Sequence, residues 1–589
     1  MNNPEDFYKL QIEKQQKALK KIHKQLLLSS TLRFVLFLGI VSGIYFGYPN
    51  QQIIIASILV GVAGFLFLVT RHQKLQYKRR KIEKLISINT LELEVARGRT
   101  DALDKGNEFI DVTHPFSHDI DLFGDHSFFQ YLNRTATNAG KKALAAILTS
   151  NSIQQIEKRQ QALQNLSTLP EWRQEFSAVA SLKKEEVPID NIIKWILNYN
   201  PYLSKVIRII PMIFSLISLI LLVLFFFEVV SSTIILLWFF TGLGIIGTQV
   251  KKINALYHQA GKAKDTFDQY AKLVAQIETT EFTSVLLTTE KSKLTSQQKK
   301  ASVALKKFAK ILDAFDQRNN MLYGIFGNGF LLWDLIQSYR VEQWIQIHKH
   351  KVDRWFEVIA FFDAYNSLGN FVFNHPNYSF PVLTSGEKII EAKQLGHPML
   401  TSKKRIDNDI TISKEEFFII TGANMAGKST FLRTVALQIV MANSGLPVCA
   451  TSCNYQPIKL ITSMRTSDSL SDDTSYFFSE LTQLKKIVEI LEKDSYFIIL
   501  DEILKGTNSK DKAAGSQKFV ERLVSAKATG IIATHDLSLC EIATRIPQVK
   551  NKFFDAQIIN DELFFDYTFK EGICQNMNAS FLLRKMGIV

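Results

Sequence analysis

The residues that could bind a phosphate chain form one short run. Residues 422–430 (Gly422-Ala423-Asn424-Met425-Ala426-Gly427-Lys428-Ser429-Thr430) fit the pattern GxxxxGK[ST]. The run follows an apolar stretch, Phe417–Thr421, that predicts a β-strand, and it precedes a helical pattern at Phe431–Met441. Backbone N–H groups of such a loop can surround a β-phosphate, and the N-terminus of the helix presents its positive end to the anion. The pattern therefore predicts a nucleoside triphosphate site in which Lys428 neutralises phosphate oxygens and the Ser429 hydroxyl holds Mg²⁺.

Polar residues that suit the hydrolysis of such a nucleotide follow two further predicted strands. Asp501 and Glu502 come after the apolar run Tyr496–Leu500, and His535 comes after Gly530–Thr534. The carboxyl ends of parallel strands meet at one edge of a sheet, so we expect these side chains near the loop. Asp501 would complete the magnesium shell, and Glu502 would polarise a water in line with the γ-phosphate. His535 would contact the γ-phosphate or that water, although a histidine taken alone is more often structural.

Together these motifs resemble the ATPase domain of the MutS family, the ABC-type mismatch repair ATPases. Residues 422–430 resemble the family's GPNMGGKST, with alanine at 423 for its proline and alanine at 426 for one glycine. Residues 501–511 resemble its DEIGRGTST run, and residues 533–535 resemble its ATH motif. Further similarities are 396–398 to GRHP, 407–410 to PNDI, and 133–137 with Gly140 to DRTxTxxG of the core domain. The resemblance covers roughly residues 85–205 and 345–589 and implies ATP and Mg²⁺ as ligands.

The same resemblance implies a site that closes between two subunits. His397 falls where the family contacts adenine, and Asn508 with Ser509 falls on its D-loop. The signature segment, which meets the γ-phosphate of the opposite chain, corresponds to residues 469–481, with Ser475 and Glu480 on the family's positions. Here Asp-Asp-Thr at 472–474 replaces the family's Ser-Gly-Arg, which puts an acid near the phosphate of the other subunit. A homodimer is thus expected. The acid would make ATP hydrolysis slow, or the dimer would close only with a partner.

The positive charge of the chain is concentrated beside apolar segments. The 589 residues carry a net charge of +14, of which residues 1–33 hold +4 and residues 71–84 hold +6. The remaining soluble regions are close to neutral, which weakens the case for an extensive nucleic-acid surface. The chain length predicts several domains, and four cysteines without a CxxC pair are expected to be small core residues in a reducing compartment.

Two uncharged stretches predict membrane hairpins. Residues 34–70 carry no charge and are divided by a turn at 47–52, and residues 209–250 contain only Glu228, beside a second turn. Four spans in two hairpins follow, although buried core helices are the alternative. All basic flanks lie on one side, so the positive-inside rule places both termini and the ATPase domain in the cytosol. The family implies a bacterial inner membrane.

The predicted fold class is α-helical transmembrane hairpins plus a helical core and lever domain and a C-terminal α/β P-loop domain of the ABC type. A further apolar stretch, 321–333, is too short and too glycine-rich for a fifth span, and predicts buried core or an interfacial contact. The predicted segments are a basic N-terminal helix (1–33), hairpin 1 (34–70), a juxtamembrane helix with a MutS-like core segment (71–205), hairpin 2 (206–250), a helical core and lever segment (251–385) and the ATPase domain (386–589).

Two functions remain open at this stage. The nearest string to the family's mismatch-reading Phe-x-Glu motif is Phe7-Tyr8-Lys9, so the reading domain is predicted to be absent, and the DNA clamp has little room. The first hypothesis is a membrane-anchored MutS-like ATPase that binds DNA and is linked to DNA repair, with its basic flanks touching phosphates or anionic lipid. The second is a membrane-tethered, ATP-driven conformational switch that acts on a protein partner without DNA. A transporter fits poorly, because the spans offer almost no polar lining.

Overall fold

Two long helices begin the chain and form an antiparallel hairpin. In the computed structural model they are α1 (Pro4–Gly47) and α2 (Gln51–Ala96). The structure describes residues 3–48, 50–183, 187–203, 207, 209–296, 299–321, 323–465, 476–505, 508–559 and 562–575. Asn3 caps α1 by accepting a bond from the Glu5 N–H, and the Asn50 side chain accepts from two N–H groups at the start of α2. The reversal therefore lies where the sequence predicts a turn.

A second hairpin joins α8 (Ile210–Phe226) to α9 (Ser232–Thr279). The ring of Trp238 stacks on Phe214 at a centroid distance of 4.3 Å, and its Nε1 donates to Ser218 Oγ at 2.7 Å. Among the described residues, α1, α2 and α9 are long and apolar enough to cross a membrane, and their most apolar windows are almost entirely exposed. Helix α8 is apolar but only 17 residues long. The four spans themselves remain a prediction.

The remaining helices of the N-terminal two thirds pack into one core. They are α3 (Phe128–Leu132), α4 (Asn138–Thr149), α5 (Ile156–Ser167), α6 (Pro170–Ala180), α7 (Ile189–Leu197), α10 (Val285–Ser292), α11 (Ala301–Asp316), α12 (Asn328–Leu331), α13 (Trp333–His348) and α14 (Val352–Asn374). Helix α14 lies at the centre, buried over most of its length. The stretch 321–333 is divided: Asn328 and Leu332 are buried, whereas the side chains of Met321 and Phe326 are 76% and 54% exposed, so the stretch is buried core only in part.

A buried polar cluster ties the first hairpin to α14. Glu92 of α2 accepts hydrogen bonds from Arg134 Nε (2.6 Å), Asn370 Nδ2 (2.9 Å) and Asn374 Nδ2 (3.0 Å). The hydroxyl of Tyr8 on α1 donates to Asn374 Oδ1 at 2.6 Å. The start of α1 and the end of α2 are thereby joined to the helix that leads into the C-terminal domain.

The C-terminal third is an α/β domain with two mixed sheets. Its elements are β3 (Val382–Leu383), β4 (Lys388–Leu395), β5 (Asn408–Ser413), β6 (Phe417–Gly422), α15 (Lys428–Asn443), β7 (Ser452–Tyr455), β8 (Lys459–Ser463), α16 (Tyr476–Leu491), β9 (Tyr496–Asp501), α17 (Ser509–Ser525), β10 (Thr529–Ala533), α18 (Ile542–Arg545), β11 (Val549–Ile559) and β12 (Glu562–Glu571). A two-stranded ribbon, β1 (Thr295–Ser296) with β2 (Lys299–Lys300), precedes it among the helices. The prediction of a helical region followed by a C-terminal α/β domain is confirmed.

The order of strands in the larger sheet is β12-β11-β6-β10-β9-β8. All neighbours in it are parallel except β11 and β12. Strand β10 pairs with both β6 and β9, so Ala533 lies opposite Ile420 on one side and Asp501 on the other. The three predicted strands are therefore central neighbours whose carboxyl ends meet at one edge. The smaller sheet has the order β3-β7-β4-β5, and all four cysteines are buried, as predicted.

Candidate nucleotide-binding site

The glycine loop connects β6 to α15 through backbone that side chains rarely adopt. Gly422 has φ +152° and Gly427 has φ +100°. A Cβ at Gly422 would lie 2.6 Å from the Phe554 carbonyl oxygen, so only glycine lets β6 pass β11 at this point. Met425 also has a positive φ, and its side chain is 77% exposed at the tip of the loop. The loop thus presents its backbone, rather than side chains, to the space above α15.

Lys428 is buried at the first turn of α15 and folded back onto the loop. Its Nζ donates to the carbonyl oxygens of Gly422 (2.8 Å) and Ala423 (3.0 Å) and lies 3.2 Å from His535 Nε2. Burial lowers the pKa of the Lys428 ammonium, while the nearby carboxylates of Asp501 and Glu502 oppose that shift. A buried cation bonded mainly to neutral carbonyl groups favours an anion, because charge compensation is incomplete.

The acidic pair and the histidine converge on this lysine. Ser429 Oγ donates to Asp501 Oδ2 at 2.6 Å, which joins the start of α15 to the end of β9. Glu502 has φ +49°, and its Oε1 lies 3.1 Å from His535 Nε2. Burial, followed by the Lys428 charge, lowers the pKa of His535, which favours a neutral imidazole at pH 7. One carboxylate thus faces the Ser429 hydroxyl, and the other is oriented by the histidine.

One cavity of about 630 Å³ connects these groups with an apolar side. Most of the predicted residues line it: His397, Asn424, Met425, Gly427, Lys428, Ser429, Thr430, Asp501, Glu502 and His535. Gly422, Ala423 and Ala426 lie beneath it in the loop. Burial lowers the pKa of His397 to about 4, with Arg433 and Arg405 adding to the shift, so its ring is neutral at pH 7.

Sequence reasoning missed the aromatic residue opposite the loop. Tyr567 on β12 lines the cavity, and a Cβ at Gly427 would lie 3.0 Å from its Cδ1 atom. Asn408 positions this strand, because its Nδ2 donates to the Tyr567 carbonyl and its Oδ1 accepts from the Phe569 N–H at 2.7 Å. The alternating aromatic pattern of 564–569 predicts only a strand, so local sequence carried no signal for this contact. A flat ring beside the glycine loop suits a nucleotide base.

Two of the residues expected to act across a dimer, Glu480 and Asn508, have hydrogen-bond partners in their own chain. Glu480 is buried in its own chain, where its carboxylate accepts from the N–H groups of Leu504 (2.5 Å) and Lys505 (3.1 Å). It therefore supports the loop that follows Asp501 and Glu502. Asn508 caps α17 by accepting from the Asp511 N–H. Ser475, residues 472–474 and the Ser509 side chain lie outside the described residues, so the contact across the dimer stays a prediction.

The donor set at Ser429 and Asp501 fits a magnesium ion. A hydroxyl and a carboxylate oxygen 2.6 Å apart are the hard oxygen ligands that Mg²⁺ prefers. Within the described part of the chain, no three His, Cys, Asp or Glu side chains are grouped as metal ligands.

Fold and site together define an α/β domain with a candidate nucleotide site at the carboxyl edge of a mostly parallel sheet. Residues 418–583 match the family model described as MutS domain V. The DNA mismatch repair protein MSH4 of Arabidopsis thaliana is 32% identical over 238 residues, which cover 39% of this chain and 30% of that protein. The MutS protein homolog 4 of Homo sapiens is 32% identical over 197 residues, covering 32% of this chain and 21% of that protein.

A bacterial relative extends the match along the chain. The DNA mismatch repair protein MutS of Desulfatibacillum aliphaticivorans is 29% identical over 293 residues, covering 48% of this chain and 31% of that protein. The chain thus spans less than a third of the length of each of these relatives. The chain is thus similar to proteins of the MutS family over part of its length, and the family model matches within the C-terminal domain.

Proposed function

We propose that this protein is a membrane-anchored, MutS-like ATPase that hydrolyses ATP at a dimer interface and binds DNA in a process related to mismatch repair or recombination. The observation that carries the ATPase is the convergence of Lys428, Ser429, Asp501, Glu502 and His535 on one cavity. Cations, a hydroxyl and carboxylates that meet at a helix N-terminus are what phosphoryl transfer requires.

Each of these residues has a role in the proposed reaction. Lys428 would exchange its carbonyl partners for phosphate oxygens, and Ser429 with Asp501 would hold Mg²⁺, which would supply charge neutralisation at the phosphates. Glu502 orients a water and accepts its proton, because its carboxylate is exposed to the cavity and already fixed by His535. His535 in its neutral form can donate one hydrogen bond and accept another, so it suits a contact between the water and the phosphate. Tyr567 and the uncharged His397 form the side of the cavity for the adenine.

The membrane anchor is supported by the exposed apolar surfaces of both hairpins. Side chains such as Phe37, Phe67 and Phe226 are 55%, 67% and 82% exposed, and a folded chain in water rarely presents such continuous apolar surface. Basic residues 71–84 follow the first hairpin directly. Lipid is therefore the partner that we propose for these helices, with the ATPase domain on the basic, cytosolic side.

The DNA partner is supported by the relatives, whose names place them in DNA mismatch repair. We test it with detergent-purified full-length protein and homoduplex, mismatched and branched DNA, each with ATP, ADP or no nucleotide, across a salt series. Nucleotide-dependent binding that prefers one DNA structure is the expected result. Weak binding that is blind to structure and steeply salt-sensitive would instead favour a switch acting on a protein partner.

The ATPase is tested in the same preparation. Glu502→Gln is expected to lower hydrolysis by roughly 10²- to 10⁴-fold while ATP still binds. Glu489→Gln, on the exposed face of α16, is the matched control and should hydrolyse ATP like the wild type. Equal hydrolysis by the two variants would show that Glu502 is not the base, and absence of hydrolysis from the wild type would overturn the enzyme proposal.

A further inference from the structure

An uncharged stretch between α11 and α13 exposes large apolar side chains. This stretch, residues 319–333, contains no Asp, Glu, Lys or Arg and is called the 319–333 segment. Among its described side chains, Met321 is 76% exposed, Tyr323 50%, Phe326 54% and Leu331 41%. A surface of this kind on a soluble core would be unfavourable, since each side chain would keep its apolar area in water. The segment therefore needs a cover that the described residues of the chain do not provide.

The segment lies against the apolar part of the second hairpin. The rings of Phe326 and Phe330 are 5.9 Å and 5.3 Å from that of Phe239 on α9. The backbones approach closely, because a Cβ added at Gly242 would lie 2.3 Å from the Gly329 carbonyl oxygen. Small residues at such a contact are typical of helices that pack within a membrane.

The depth of this contact follows from the position of Gly242 on α9. The first charged residue beyond it is Lys251, nine residues further along the helix. At 1.5 Å per residue, the Gly242–Gly329 contact lies roughly 14 Å beyond Lys251 along the helix axis. The hydrocarbon core of a bilayer is about 30 Å thick, so this is close to its midplane.

Internal hydrogen bonds satisfy the breaks in the backbone of the segment. Residues Tyr323–Gly327 form a π-helical turn before the short helix α12. The buried Asn328 side chain donates from Nδ2 to the Gly324 carbonyl at 2.8 Å and accepts at Oδ1 from the Asp334 N–H at 2.9 Å. Irregular backbone is tolerated at membrane depth only where its polar groups are paired in this way.

Charged groups lie only at the base of the segment. Arg318 and Asp334 flank it and form an ion pair of 3.1 Å. Arg318 also donates to Asn254 Oδ1 at 2.8 Å, three residues beyond Lys251 on α9. The Arg318 end of the segment therefore reaches the basic boundary of the hairpin, whereas Asp334, whose N–H bonds to Asn328, lies further along the segment as the buried partner of Arg318.

We propose that the 319–333 segment is a re-entrant membrane element that enters the bilayer beside α8 and α9 from the cytosolic side, returns to the same side, and is covered by lipid acyl chains. This inference rests on the proposed membrane location of the second hairpin. It extends the membrane-embedded part beyond the two hairpins and attaches it directly to α13, which continues into the helical core. Movement of that core would then be coupled to a third element in the lipid.

Depth-dependent fluorescence quenching tests this proposal. Single cysteines at Phe326 and, as a second position in case the first variant misfolds, at Tyr323 are labelled with an environment-sensitive fluorophore in the full-length protein. The native cysteines are buried, and labelled wild type measures their background. The protein is reconstituted in phosphatidylcholine and phosphatidylglycerol vesicles with nitroxide-labelled acyl chains or with aqueous iodide. Phe240→Cys on α9 is the membrane reference, and Val303→Cys on α11, 64% exposed, is the aqueous reference.

We expect acyl-chain nitroxide to quench the fluorophore at positions 326 and 323 at least threefold more than at position 303. Aqueous iodide should quench the fluorophore at positions 326 and 323 less than at position 303. If they behave like 303 while 240 is quenched by lipid, the re-entrant proposal is wrong and the membrane anchor stands. If 240 also escapes lipid quenching, the anchor fails, and the re-entrant proposal fails with it. A disulfide between two copies of the Phe326→Cys chain, without lipid quenching, would show that a second copy covers the segment and would overturn the proposal.

Discussion

Removal of the Glu92 charge should destabilise the helical region far more than removal of a surface carboxylate. Glu92 is 3% exposed and accepts from three side chains, one of which is the Arg134 guanidinium, itself only 12% exposed. Glu92→Gln keeps the shape but leaves the arginine charge buried without a counter-ion. Breaking a buried pair in this way typically costs about 3–5 kcal/mol.

The measurement is urea unfolding of the full-length protein in detergent, followed by tryptophan fluorescence. Since ΔG falls by roughly 1–3 kcal/mol per molar urea, a loss of this size lowers the midpoint by about 2 M. The matched control is Glu489→Gln, whose ion pair with Lys485 is exposed and should contribute less than about 0.5 kcal/mol.

A double variant separates charge burial from loss of packing. The double variant Glu92→Gln with Arg134→Met has no unpaired buried charge. At least half of the decrease in the urea midpoint should therefore be recovered. The reasoning is refuted if Glu92→Gln lowers the midpoint no more than Glu489→Gln does. It is also refuted if the double variant is less stable than Glu92→Gln alone, because the buried charge would then not be the source of the cost.

Three further outcomes are expected. Tyr567→Ala should weaken ATP binding about tenfold and Tyr567→Phe should not, in titrations with a fluorescent ATP analogue, because the ring rather than the hydroxyl packs on the base. Gly140→Ala should cost about 1–3 kcal/mol in urea unfolding, since its Cβ would lie 2.1 Å from Asp363 Oδ2, whereas Gly261→Ala meets nothing within 4 Å and should not destabilise. Burial lowers the pKa of His375 to about 4, so the unfolded chain binds a proton at a higher pH than the folded chain does. The free energy of unfolding should therefore fall as the pH drops from about 6.5 to 4, and it should fall less steeply in His375→Gln.

The part of the site that is contiguous in sequence could be predicted. A glycine loop between a strand and a helix has one local geometry, so the positions of Lys428 and Ser429 follow from their neighbours along the chain. The strands that end at Asp501 and Ala533 were predicted to within a residue of their observed ends, because short apolar β-rich runs bounded by polar residues leave few alternatives. Roles across a dimer and at the membrane remain predictions.

Contacts between distant segments could not be predicted in the same way. The hydrogen bonds of Glu480 to the N–H groups of Leu504 and Lys505 are such a contact, because they depend on how α16 packs beside β8. The exposed apolar stretch 321–333 was compatible with buried core by composition alone. Only the tertiary structure shows that Leu332 belongs to the core while Met321 and Phe326 are exposed beside α9.

The sequence by itself determined the phosphate-loop pattern, the acidic strand end and the apolar stretches of the long helices, because each depends on residues that are neighbours along the chain or on one helix. The tertiary structure decided that Tyr567, 140 residues beyond Gly427, packs against the glycine loop and lines the cavity. It also decided that Glu92 and Arg134 meet inside the core. Such pairs depend on how whole elements pack, and burial of a charge or a ring is a property of that packing rather than of any local pattern.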